Sequence, residues 1–348
     1  MGDVLIRSVR PWSSAPDTPA IDVLCRAGAI AELGPELTAP PGIPEADGAG
    51  GVLLPALVAA HVRPCAGQAE ATLARLVAAG ATLLRVHGPA EDLDELLAAR
   101  EVFADRATIQ LVAFVAGGLV REERGEKLLD AAVAAGADLL GGLDPAGHDR
   151  DPVRHLDLLF ELAERHSVGI DLQLRDPGEL GAFVIELICE RVAALDMRGR
   201  VTLSHCLALS TVEDHRRELL AELLAEHGVS VTTLATAWGN PLPLRRLRWA
   251  GVPVGLGDDG GDLLDQARLL AEANGFERDD EVELCADVAT RDGARALRVG
   301  GYGVIEGDRA ELMVVPADSV AEAVRQRPPR TLVVHDGRVV SGAQTAGG

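Results

Sequence analysis

One alternation governs this chain. A short β-branched or Leu-rich run is followed by an amphipathic stretch rich in Ala, Leu, Glu and Arg, and the pair recurs along the middle of the sequence. Candidate strands fall at 56–61, 82–87, 108–114, 137–142, 169–174, 201–205, 230–234 and 252–257. The segment 152–166 between two of them places Leu156, Leu159, Phe160 and Ala163 at helical spacing with charge on the opposite face. The segment 210–228 starts with Ser210 and Glu213 and stops at Gly228, so a helix capped by Ser210 is expected there. Eight strand–helix units in a row predict a parallel sheet closed into a (β/α)₈ barrel, here over residues 54–300.

The flanks read differently. Residues 1–53 and 301–348 carry short strands such as "DVLIRS" and "TLVVHDGRVV", with a hairpin signal at Asp336-Gly337 and no helix expected among them. They predict a small β-domain built from both ends of the chain.

Charge and cysteine content narrow the function. A net charge of -21 repels phosphate backbones and anionic lipids, which argues against nucleic-acid and membrane partners and reads as a solvated surface; a small-molecule substrate is the partner expected from the barrel's strand ends. Five cysteines (Cys25, Cys65, Cys189, Cys206, Cys285) show no paired spacing, so neither a disulfide framework nor a zinc knuckle is indicated. The opening "MGDVLIRSVRPW" lacks the features of a signal peptide, and no apolar run reaches the roughly 20 residues of a membrane helix. A cytoplasmic protein is expected, and association into a homo-oligomer stays open.

In a barrel of this kind the chemistry lies at the C-terminal ends of the strands. Those ends collect His61, Arg63, His87, Asp144, Gln173, Arg175, Asp176, His205, Asn240, Asp258 and Asp259. Packing alone does not call for polar side chains at one end of apolar strands.

The pieces "LLPALVAAHVR", "LLRVHG", "IQLVAFVAGGL", "ADLLGGLDP", "GIDLQLRDPGE", "RVTLSHC" and "VPVGLGDD" occur in order over most of the chain. In this series the chain resembles the amidohydrolase superfamily, and within it the cytosine-deaminase-like branch. The resemblance implies one divalent metal (zinc, iron or manganese) held by two histidines on the first strand, one each on the fifth and sixth, and an Asp on the eighth. It also implies a fifth-strand Glu that shuttles a proton. His61, His205 and Asp258 match that set. Arg63 replaces the second histidine, Gln173 the fifth-strand histidine, and Asp176 the Glu. The stretch from Arg63 to the next helix is also shorter than the branch's lid.

These departures have physical weight. A guanidinium cannot ligate a cation, and an amide oxygen is a poor partner for zinc or iron. Arg63 is expected to pair with Asp258 or Asp176 where the ion would sit, since unpaired buried carboxylates are costly.

Three readings follow. In the first, the chain is a deaminase-like hydrolase of a C–N bond in a small heterocycle or cyclic amide. Its metal site is reduced to His61, His205 and Asp258, and Asp176, Asp258 and His205 are catalytic. In the second, no metal is used. Arg63 and Arg175 then bind an anionic or carbonyl-bearing substrate while His205 and the aspartates do acid–base work, and Gln173, His87 and Asn240 are further substrate-binding candidates in either reading. In the third, the barrel binds without catalysing.

Overall fold

The computed structural model describes residues 1–12, 18–235 and 241–342. Five N-terminal strands come first: β1 (Val4–Pro11), β2 (Ile21–Arg26), β3 (Ala29–Gly34), β4 (Glu45–Asp47) and β5 (Val52–Pro55). Eight strands follow: β6 (Leu57–Val62), β7 (Ala81–Pro89), β8 (Thr108–Phe114), β9 (Leu139–Leu143), β10 (Gly169–Gln173), β11 (Val201–Ser204), β12 (Ser230–Thr233) and β13 (Val254–Leu256). These pair in parallel, in sequence order. The ring closes where the Asp258 N–H donates to the His61 carbonyl at 2.8 Å. A Cβ on Gly255 would lie 2.5 Å from Ala60 Cβ, so the approach of β13 to β6 requires a residue without one.

Helices line the outside: α1 (Ala69–Ala78), α2 (Leu93–Val102), α3 (Gly125–Ala135), α4 (Pro152–Arg165), α5 (Gly178–Ala194), α6 (Ala208–Thr211), α7 (Asp214–Glu226), α8 (Leu244–Ala250), α9 (Leu263–Ala273), α10 (Asp279–Val288) and α11 (Arg291–Ala296). In α4 the expected Leu156, Leu159, Phe160 and Ala163 are all buried, and Asp151 caps the helix by accepting from the Arg154 N–H at 3.1 Å. β14 (Leu312–Val315), β15 (Leu332–His335) and β16 (Arg338–Gly342) join the N-terminal strands in a second sheet, ordered β16-β15-β14-β5-β1-β2-β3 with β4 beside β1. The chain is thus a (β/α)₈ barrel with a smaller sheet made from both termini. The β15–β16 turn has φ 49° at Asp336 and 77° at Gly337, the pair of positive angles that a tight hairpin needs.

Two local expectations fail. Ser210 does not cap a long helix. It lies inside α6, the chain extends at Val212 (ψ 164°), and α7 starts only at Asp214. The C-terminal flank is also not free of helix, because α12 (Val320–Gln326), capped by Ser319, crosses between β14 and β15.

Strand alternation sends Arg85 and His87 of β7, Asp171 and Gln173 of β10, Thr202 and Ser204 of β11, and Thr232 of β12 into the barrel. Arg85, 1% exposed, donates to Asp171 Oδ2 at 2.9 Å, Thr202 Oγ1 at 3.0 Å, Gln110 Oε1 at 2.9 Å and the Leu297 carbonyl at 3.2 Å. A buried pair with this many satisfied donors holds, but loss of one partner strands the other. Arg85→Met is expected to cost on the order of 3–5 kcal/mol in urea unfolding. Adding Asp171→Asn should recover part of that loss, because the charge then leaves with its partner.

Candidate active site

The upper layer of the barrel interior is built on His61. β6 already directs Val58 and Ala60 to one side, where they pack with Leu83 and Leu297. The pairing of β6 with β7 slips between Ala59 and Val62, and this irregularity brings His61 inward as well. Its ring lies 4.0 Å from that of His87 and 4.6 Å from that of His205. His205 follows the end of β11 with φ 73°, and Cys206 with φ 44°, a left-handed turn that non-glycine residues seldom make.

A hydrogen-bond chain sets the tautomer of His61. The Ser204 hydroxyl donates to Asp171 Oδ1 at 2.6 Å and accepts from the Thr232 hydroxyl at 2.9 Å. Its proton is committed, so toward His61 Nδ1, 3.1 Å away, Ser204 Oγ can only accept. His61 therefore carries its proton on Nδ1 and keeps the Nε2 lone pair. Burial, aided by His87 and His205, holds the His61 pKa well below its usual range. Burial and the Arg85 charge do the same to His87. Burial and Arg175 bring His205 down to about 4. All three rings are neutral at pH 7.

Arg63 does not pair with Asp258 or Asp176, contrary to expectation. Its guanidinium lies 4.9 Å above the Phe114 ring centroid and donates to Gln173 Oε1 at 3.4 Å. Burial and the nearby Arg175 charge lower its pKa. Arg63 and His87 line a cavity of about 460 Å³ at the barrel mouth, together with Cys65, Gly88, Glu95 and Leu96. The short loop beside it is tied down by Glu95, which accepts from the Gly67 and Ala69 N–H groups at 3.0 Å each.

The carboxylates of the mouth have other partners. Asp258 pairs with Arg75 of α1 at 2.5 Å and accepts from the Gly260 N–H at 3.0 Å. Asp144, at φ 35°, accepts from the Arg175 backbone N–H and holds its guanidinium at 3.0 Å. Asp176 accepts from the Gly147 N–H at 3.0 Å, and burial, with Asp144 near, raises its pKa. Arg175 is thus bound to Asp144, and Asp176 serves as a loop anchor. Cys206 is buried with its thiol pKa pushed up by burial. Asn240 lies outside the described residues.

Among the described residues, one trio of His, Cys, Asp or Glu side chains brings ligand atoms within 4.8 Å of one another: His61, His87 and Asp171. Asp258 and His205 are not in it. Its carboxylate oxygens already accept from Arg85 and Ser204. Its His61 Nδ1 is tied to Ser204. Two guanidinium groups, Arg85 and Arg63, flank it. The trio could hold a divalent ion, with His61 Nε2 still free to ligate, while the Arg85 and Arg63 charges beside it and the prior bonds of Asp171 weigh against tight binding.

Sequence reasoning passed over Asp171, Ser204 and Thr232, and read Arg85 only as part of a motif. The signal was present: Asp171 precedes Gln173 by two residues and Arg85 precedes His87 by two, so each pair shares one face of its strand.

Comparisons with known proteins agree with this architecture. The model of the amidohydrolase family matches residues 46–341. The crystal structure of N-isopropylammelide isopropylaminohydrolase from Burkholderia multivorans ATCC 17616 is 36% identical, covers 98% of each chain and superposes with a TM-score of 0.90. N-isopropylammelide isopropyl amidohydrolase of Pseudomonas sp. (strain ADP) is 27% identical over 71% of this chain and 64% of its own length, so this chain spans under two thirds of that curated relative. 5-Methylcytosine deaminase from Klebsiella pneumoniae, at 21% identity, 99% and 98% coverage and a TM-score of 0.84, shares the fold.

A depressed imidazole pKa makes stability depend on pH. Between about 4 and the ordinary 6.5, the unfolded chain binds a proton at His205 that the folded chain refuses. The stability it withholds is complete above the unfolded value and drains away as pH falls toward 4. His205→Gln should flatten the decline in unfolding free energy between pH 7 and pH 4, by up to about 3 kcal/mol in pH-stepped urea titrations.

Proposed function

The chain belongs to the amidohydrolase family, and on that premise we propose that it acts on a C–N bond of a small N-heterocycle with Arg63, rather than a metal, as the cation over the substrate. The observation that carries this reading is the Arg63 guanidinium at the wall of the mouth cavity, stacked on Phe114 beside Gln173 and, among the described residues, without a carboxylate partner of its own. The names of its relatives supply the class of substrate: substituted ammelide and methylcytosine are both small ring compounds bearing amino and oxo groups.

In this reading Arg63 holds and polarises an oxo group of the ring. Water attacks the ring carbon, and its proton passes to a neutral imidazole of the His61–His205 pair. The C–N bond then breaks and the amine departs with that proton. Ser204, Thr232 and Asp171 hold the Nδ1 proton of His61, so that Nε2 is its exchanging nitrogen.

A second reading has its own support. An imidazole with a pKa near 4 is a weak base at pH 7, which favours ring binding without turnover.

Release of ammonia or amine from aminopyrimidines and amino-oxo triazines, measured on protein dialysed against chelator, separates the two. The proposal expects turnover that chelator leaves unchanged, less than a tenth of an equivalent of zinc, iron or manganese by elemental analysis, and at least a hundredfold loss of kcat/KM in Arg63→Ala. Activity that appears only on adding metal overturns the metal-free reading. Binding with no turnover selects the second one.

A further inference from the structure

We propose that the site selects a ring edge made of hydrogen-bond acceptors, such as adjacent oxo groups of a cyclic imide or its anion, and rejects an edge of amino groups. The inference deepens the proposed function by naming the substrate class, and it rests on that reading for the location of the site.

The polarity of the site follows from two side chains. A guanidinium has only donors, so Gln173 must turn its amide oxygen, not its nitrogen, toward Arg63. This leaves Gln173 Nε2, in a residue 1% exposed, without a hydrogen-bond partner among the described residues. A buried amide N–H left unpaired costs roughly 1–3 kcal/mol, a deficit that a ligand acceptor removes. Arg63 is oriented by its stacking on Phe114 and keeps further N–H groups beyond the one shared with Gln173. Arg63 lines the cavity and the Gln173 amide lies against it, so a ligand that reaches both groups must accept.

The carboxylates deny the opposite polarity. An amino-rich ring needs acceptors, and Asp258, Asp144 and Asp171 each hold an arginine, while Asp176 holds the Gly147 N–H. Glu95 is tied to two backbone amides. Asp92, on the cavity rim, is exposed to water and competes poorly. Among the described residues His87 has no hydrogen bond at either ring nitrogen and His205 none at Nδ1, and both rings are neutral. Each offers one donor and one acceptor, so they do not alter the balance.

Barbiturate and triaminopyrimidine share a ring and differ in carrying oxo or amino groups, so they serve as probes. Calorimetric titration of the full-length protein should give at least tenfold tighter binding of barbiturate. Gln173→Glu replaces the two N–H donors by an acceptor at nearly constant shape and should narrow or reverse that ratio. Gln173→Met, which adds no charge to a buried position, should weaken barbiturate at least fivefold and leave triaminopyrimidine unchanged. Circular dichroism confirms that each variant is folded. Equal or tighter binding of triaminopyrimidine overturns the proposal, as does no binding of either probe at millimolar concentration or a ratio that neither variant shifts. Because the readout is binding, a barbiturate preference without turnover sustains this inference while removing the hydrolytic reading.

Discussion

The ion pair between Arg85 and Asp171 is the constraint on which the barrel interior depends. It joins β7 to β10 across the barrel axis and, through Thr202 and the Leu297 carbonyl, ties in β11 and the end of α11. Asp171 also receives the Ser204 hydroxyl, so one carboxylate organises both the floor of the barrel and the tautomer of His61 above it. His61 therefore inherits its tautomer, through Ser204, from a charge pair buried in the barrel.

Much of this was legible in the sequence, for a definite reason. Strand positions follow from apolar runs of regular length, and the eight expected strands each overlap one of β6–β13. His61, His87, Gln173 and His205 could be placed at one end of the barrel because strand ends are local. The direction of Arg63 was not local. One of its two expected carboxylate partners, Asp258, is held by Arg75 across 183 residues of sequence, and no spacing rule connects a helix position with the last barrel strand. The break that separates α6 from α7 was hidden for a different cause: Ser210 and Glu213 satisfy a capping pattern that the fold does not use.

From the mouth of the barrel to its floor, arginines are assigned to carboxylates one by one. Arg75 holds Asp258, Arg175 holds Asp144 and Arg85 holds Asp171. Arg63 alone of these four contacts an amide and an aromatic face instead. An acidic chain has thereby produced a locally donor-rich pocket, and the net charge of -21 says nothing about its polarity.

The Arg75–Asp258 contact bears on how such a barrel can change over generations. Replacing Arg63 by histidine would offer a new ligand while Asp258 stayed bound to its partner on α1. Removing Arg75 first would strand a buried carboxylate, since the Asp258 side chain is only 7% exposed. Arg75 and Asp258 are thus coupled: a change at either one is tolerated only together with a change at the other.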